Sequence, residues 1–202
     1  EIRINTDTVI CDGEVVTINV GNPNHSIRGD WKYNLLVSAE PEIGGHHPGG
    51  GDLELAALAE TLTNSDTVAH FVDSEFTPLI YNDDGAVVSC PNGIDTTIVI
   101  WVNPVPDIDV TATDTLICNE ELAEFQIDVI NTMVDGQWVY DLDVEADPEI
   151  NGARLDGVYT TDSTFFSDRL FNTDTAAHKV TYHFSPRIIP SDGGLDCENG
   201  RD

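Results

Sequence analysis

The residues of this chain best suited to covalent chemistry are four cysteines, and their spacing repeats. Cys11 to Cys90 (90 − 11) and Cys118 to Cys197 (197 − 118) are both 79 positions apart. Four cysteines allow three pairings. Only Cys11–Cys90 with Cys118–Cys197 treats the two halves alike and closes within each, so that is the expected pattern. A loop of that length would stabilise each half by about 4.5 kcal/mol on a chain-entropy estimate. Four reduced, buried thiols are the alternative. Zinc is disfavoured, because no Cys-x-x-Cys pair with a nearby His completes a four-ligand set. Disulfides would imply an oxidising compartment, hence an extracellular or cell-surface location.

The other reactive residue types point to scaffold rather than catalysis. His70 and His178 occupy equivalent positions in the two halves and read as structural histidines. His46-His47 precede Pro48-Gly49-Gly50-Gly51 in what reads as a variable loop absent from the second half; two adjacent histidines lack a third metal ligand. Asn82-Asp83-Asp84-Gly85 and Ser191-Asp192-Gly193 have oxygen chemistry suited to Ca²⁺, yet Asp-Gly is ordinary turn chemistry. No complete Ca²⁺ loop is present, and no metal or other cofactor is expected. Arg28-Gly29-Asp30 is too short a match to carry weight, and Asn24-His25-Ser26 fits the N-glycosylation pattern only in a suitable host. The chain has no Gly-x-Ser-x-Gly elbow, no His-Glu-x-x-His and no phosphate-cradling glycine loop, so no enzyme is expected.

These residues sit in a sequence that states itself twice. Asp7-Thr8-Val9-Ile10-Cys11 returns as Asp114-Thr115-Leu116-Ile117-Cys118, an offset of 107 (118 − 11). Trp31 and Tyr33 return as Trp138 and Tyr140. Leu62, Asn64, His70, Phe76 and Pro78 return one position later as Leu170, Asn172, His178, Phe184 and Pro186. That period is the size of a small domain. Short β-rich runs bounded by Asn-Gly and Asp-Gly predict an all-β fold of two tandem immunoglobulin-like antiparallel sandwiches. The strand runs are Val15–Val20, Trp31–Val37, Val68–Ile80 broken at Pro78, and Thr96–Val102. Leu53–Glu60 is built of helix formers, but its counterpart Val158–Phe166 is strand-like, so both are expected as strands. The expected boundaries are 1–103, a connector at 104–106 and 107–202. Prolines at 104 and 106 favour an extended connector and hence a semi-rigid rod. The second repeat is expected to lack its last strand, since nothing in it matches Thr96–Val102.

The formal charge is −29, from 37 acidic and 8 basic residues. That excludes nucleic-acid binding through the phosphate backbone and docking on anionic lipid. No apolar run is long enough to span a bilayer, so no membrane insertion is expected. The acidity reads as a means of keeping an extracellular chain soluble.

Several short motifs, taken in order, resemble the PKD-like, immunoglobulin-like repeats of long secreted surface proteins of Bacteroidota. They are Ile10-Cys11 and Ile117-Cys118, the Leu-x-Asn runs at Leu62 and Leu170, and Phe-x-Pro at Phe76–Pro78 and Phe184–Pro186. The late Cys-x-Asn-Gly and the strand ending Val102-Asn103-Pro104-Val105-Pro106 complete the set. The resemblance implies a non-catalytic stalk, filament or adhesin repeat, exported by type IX secretion. Its partners would be neighbouring repeats of the same long chain. The missing last strand of the second repeat separately leaves open that the natural chain continues with a similar strand or that another chain supplies it by strand addition. Recurrent Asp-Thr and Asp-Ser steps are similar to the O-glycosylation sequon of such proteins, giving candidates Thr8, Thr67, Thr96, Thr115, Ser163 and Thr175. Asp-Thr also simply begins strands after turns. The rival reading is a carbohydrate- or protein-binding accessory module of a secreted enzyme. Trp101, the one tryptophan without a repeat counterpart, discriminates: an exposed aromatic face would favour glycan binding.

Overall fold

The structure, a computed structural model, describes residues 3–5, 8–22, 28–54, 57–82, 88–90, 93–160, 164–198 and 200. Every regular element among them is a strand, and the chain divides into two compact units, Glu1–Pro104 and Val105–Asp202. Each is an immunoglobulin-like antiparallel β-sandwich.

In the first unit the strands are β1 (Arg3–Asn5), β2 (Val9–Cys11), β3 (Val15–Gly21), β4 (Trp31–Ala39), β5 (Ile43–Gly44) and β6 (Gly50–Glu54). They continue with β7 (Ala57–Thr61), β8 (Thr63–Asn64), β9 (His70–Tyr81), β10 (Val88–Cys90) and β11 (Thr96–Asn103). One sheet has the order β1-β3-β7 and the other β2-β11-β9-β4-β6, with β10 also on β9. Strict alternation drives this: Val16, Ile18 and Val20 of β3 face inward, and so do Val72 and Phe76 of β9. They meet Tyr33, Leu35, Leu62, Ile100 and Val102 in one core.

The second unit repeats the frame with β12 (Ile108–Ala112), β13 (Leu122–Val129), β14 (Gly136–Ala146) and β15 (Ile150–Asn151). Then follow β16 (Gly157–Thr160), β17 (Phe165–Arg169), β18 (Phe171–Asn172) and β19 (Val180–Pro190). Its sheets are β12-β13-β17 and β16-β14-β19, with the small β15-β18 ribbon matching β5-β8. Among the described residues there is no counterpart of β11. The segment Leu116–Cys118, equivalent to β2, is not a strand either. The reason is direct: among the described residues β2 pairs only with β11, in parallel, Val9 to Trp101 and Cys11 to Asn103.

Two sequence expectations change in detail. The Val68–Ile80 run is not broken at Pro78, since β9 continues to Tyr81. The Tyr81 N–H donates to Asp30 O on the β4 side at 2.8 Å. Strand donors alternate, so position 78 faces the other edge, where β11 pairing has already ended at Phe76. The loop carrying His46 and His47 is not absent from the second unit either. Ile43–Gly50 and Ile150–Gly157 are equal in length and link equivalent strands, with Arg154 in the place of His47.

The expected disulfides Cys11–Cys90 and Cys118–Cys197 do not form: Cys90 and Cys118 are free, exposed thiols. Topology explains it. Cys11 is level with Asn103, just past the Val102–His70 pair, whereas Cys90 pairs with Ile80 at the far end of β9. Roughly ten residues at about 3.3 Å each separate them by about 33 Å, against a Cα separation of about 6 Å in a disulfide. Likewise Cys118 lines the same groove as His178 and Val180 at one end of β19, while Cys197 pairs with Ile188 near its other end. Equal spacing marked equal place in the repeat; it did not mark proximity.

Candidate functional site

The polar residues that recur in both units build the same turn twice. Asn64 Oδ1 accepts the Asp66 N–H at 3.0 Å, and its Nδ2 donates to Val68 O at 2.8 Å. Asn172 does the same with Asp174 N–H (2.9 Å) and Ala176 O (2.7 Å). Asp66 Oδ1 accepts from the Thr67 N–H at 2.7 Å, and Asp174 accepts likewise from Thr175. This is Asx-turn chemistry, in which a side-chain amide replaces backbone partners.

A histidine then ties this turn to the sheet. His70 Nε2 lies 3.0 Å from Asp66 and its Nδ1 2.9 Å from Glu40, with Glu42 at 3.7 Å. His178 Nε2 lies 3.2 Å from Asp174, with Asp147 and Glu149 at 3.4 and 3.5 Å from Nδ1. The hydrogen bond to Asp66 raises the His70 pKa above its ordinary value, and Asp174 does so for His178. Asp66 is held low chiefly by His70, and Glu40 chiefly by the Phe71 N–H. Asp147 is lowered by the Lys179 N–H and Asp174 by the Thr175 N–H. Each histidine is therefore a clasp between a turn and a strand end, as its scaffold reading anticipates.

The second unit holds one cluster that the sequence did not announce. Asp168, on β17, is buried and accepts the Arg154 N–H at 2.8 Å and the Tyr182 hydroxyl at 3.0 Å. The Arg154 guanidinium lies 4.0 Å from the centre of the Phe166 ring. Burial, then Asp168, pushes the Tyr182 hydroxyl well above its ordinary pKa, so it stays a donor. In the first unit Glu60 takes the place of Asp168, with Oε1 buried and unpartnered. Only a carboxylate at an inward strand position in both repeats could have signalled this cluster.

The remaining candidates scatter. Thr8, Thr67, Thr115 and Thr175 are exposed, and Thr96 is half-buried in β11. Ser163, Asn24–Ser26 and Asp83–Gly85 lie outside the described residues. Gly29 of the Arg-Gly-Asp triplet has φ +99°, and a Cβ there would lie 1.8 Å from Tyr81 O, so the turn itself requires it. Trp101 is half-buried with its ring 5.0 Å from that of Phe71. Trp138 is buried. No group of three or more His, Cys, Asp or Glu among the described residues could hold a metal ion.

No family model and no curated protein matches the chain. Among solved structures it is similar to the Yersinia pseudotuberculosis adhesin InvE, at 11% identity over 92% of this chain and 55% of that one, with a TM-score of 0.33. This chain thus spans about half of the InvE chain. The type II cohesin dyad from the adaptor ScaA scaffoldin of Acetivibrio cellulolyticus is 8% identical, over 96% of this chain and 94% of that one, TM-score 0.30. The D0-D1 domain of Intimin is 11% identical with the same coverage and TM-score. Such loose likenesses say nothing of what this chain binds.

Proposed function

We propose that the chain is a non-catalytic structural segment of an extracellular surface protein, a stalk, filament or adhesin repeat. The observation that carries this reading is that the recurring polar residues are spent on the scaffold. Asn64, Asp66 and His70, and again Asn172, Asp174 and His178, satisfy one another and the backbone of their own turn. A catalytic set would instead converge on an open space where a substrate atom could sit. The acidic surface supports an extracellular setting, as do the exposed Asp-Thr steps at Thr67 and Thr175, which are accessible to O-glycosylation in a host with that chemistry.

The rival reading, a glycan-binding module, loses its best aromatic platform because Trp101 packs on Phe71. Immobilised chain should show no saturable binding to a panel of soluble glycans. In a parent surface protein, replacing these two units by an unrelated sandwich pair of equal length should leave surface display and adhesion unchanged. Saturable glycan binding, or loss of adhesion on replacement, would overturn the stalk reading in favour of a binding module.

A further inference from the structure

We propose that the second unit carries an acceptor groove for one extended peptide strand of the β11 type, bound antiparallel to the free edge of β19. The inference rests on the fold of the two units and is independent of the stalk reading. The first unit supplies the template. There β11 lies between β9 and β2, with Thr96 opposite Phe76, Ile100 opposite Val72 and Val102 opposite His70. Its side chains at Ile100 and Val102 are fully buried.

In the second unit the walls of that slot are present, and among the described residues no strand fills it. A cavity of about 460 Å³ opens between Leu116–Cys118 on one side and His178–Tyr182 on the other. Positions sealed in the first unit are uncovered in the second: Val9 is 4% exposed, its counterpart Leu116 is 89% exposed. Val72, Phe76 and Leu62 are buried, while their counterparts Val180, Phe184 and Leu170 are all partly exposed. Such an apolar, unpaired edge is what sheet proteins normally cover.

The backbone and one side chain are set for the strand as well. Lys179 O accepts from Asp147 N–H on the β14 side, so by alternation the groups of Val180, Tyr182 and Phe184 face the groove. Among the described residues β19 has no strand partner on that edge; only Cys197 pairs there, with Ile188, at its far end. In the first unit the Asn64 amide donates twice, to Val68 O and to Val102 O of β11, both at 2.8 Å. Asn172 makes the first of these bonds, to Ala176 O, and lines the groove where a strand carbonyl would supply the second.

These features define the occupant. It is an uncharged extended segment of about eight residues with β-branched or aliphatic side chains at alternate positions, as in Thr96–Asn103. Its positions matching residues 96, 98, 100 and 102 sit opposite Phe184, Tyr182, Val180 and His178. Recognition is strand addition: main-chain bonds give affinity and the inward side chains give register.

The test adds a synthetic peptide of residues 95–103 to the intact chain, and in parallel appends the same residues behind a flexible Gly-Ser linker after Asp202. The peptide should bind one to one, slow hydrogen exchange at Val180, Tyr182 and Phe184, and raise the unfolding midpoint of the second unit. A peptide carrying Ile98→Asp and Ile100→Asp should bind at least about tenfold more weakly, because one buried and one half-buried aliphatic anchor are lost. The appended strand should protect the same amides if the free peptide proves insoluble. Unchanged exchange in both arms would overturn the proposal, and so would equal binding of the Asp-substituted peptide. Protection that grows with chain concentration without peptide would overturn the assignment in favour of a second copy as occupant.

Discussion

At the scale of single residues, the two units allow each position to be read against its twin. Gly13 and Glu120 occupy the same turn: their N–H groups donate to Leu62 O and Leu170 O, both at 2.9 Å. Both are left-handed, at φ +75° and +69°. Nothing lies within 4 Å of a Cβ built on Gly13, so the difference is backbone strain alone. A side-chain-bearing residue there costs about 1–2 kcal/mol, partly offset by the extra unfolded-state entropy of glycine. Glu120→Gly should therefore stabilise the second unit by about 0.5–1 kcal/mol in denaturant unfolding. A destabilised variant would show that the Glu120 side chain contributes something beyond its backbone. The cysteines give a second residue-scale expectation. Because they sit at opposite ends of each sandwich, non-reducing peptide mapping should recover neither a Cys11–Cys90 nor a Cys118–Cys197 linkage. Finding either would mean that the strand registers at β2, β10 or Cys197 differ from those described.

At the scale of elements, the histidine clasps make stability pH-dependent in a defined direction. The folded His70 and His178 values are raised, so their contribution is complete below the ordinary imidazole value of about 6.5 and is lost as pH rises through the folded value. Asp66, Glu40, Asp147 and Asp174 are lowered. Their contribution is present above the ordinary carboxylate value of about 4 and fades as pH falls through the folded values. Stability should thus be greatest in mildly acidic solution. The fall in thermal midpoint between about pH 6 and pH 8.5 should be smaller in a His70→Gln, His178→Gln double variant. An identical pH slope in that variant would remove the clasps from the account. Much of this architecture was legible in the sequence, because strand alternation is local. Val15–Val20 and Trp31–Val37 read directly, and even Leu53–Glu60 resolved once its twin was consulted. What stayed hidden depends on which strands become neighbours. The end-to-end placement of Cys11 and Cys90 and the meeting of Arg154, Asp168 and Tyr182 follow from sheet order, which no single segment encodes.

For the whole chain, charge balance decides the response to salt. With 37 acidic and 8 basic residues, most carboxylates have no basic partner, so repulsion outweighs the few ion pairs such as Arg187 with Asp141. Surface pairs contribute little each, on the order of 0–1 kcal/mol, while like-charge repulsion acts over a Debye length of about 10 Å at 0.1 M. Raising NaCl from about 0.01 M to about 0.5 M should therefore raise the unfolding midpoint, because screening shortens that length several-fold. The same experiment separates general screening from a bound cation. Among the described residues no cluster of acidic ligands suits a metal, so CaCl₂ at matched ionic strength should act much as NaCl does. A saturable rise in midpoint at sub-millimolar Ca²⁺, far below any screening effect, would show a true cation site. A midpoint that falls with NaCl would show instead that the ion pairs, few as they are, outweigh the repulsion.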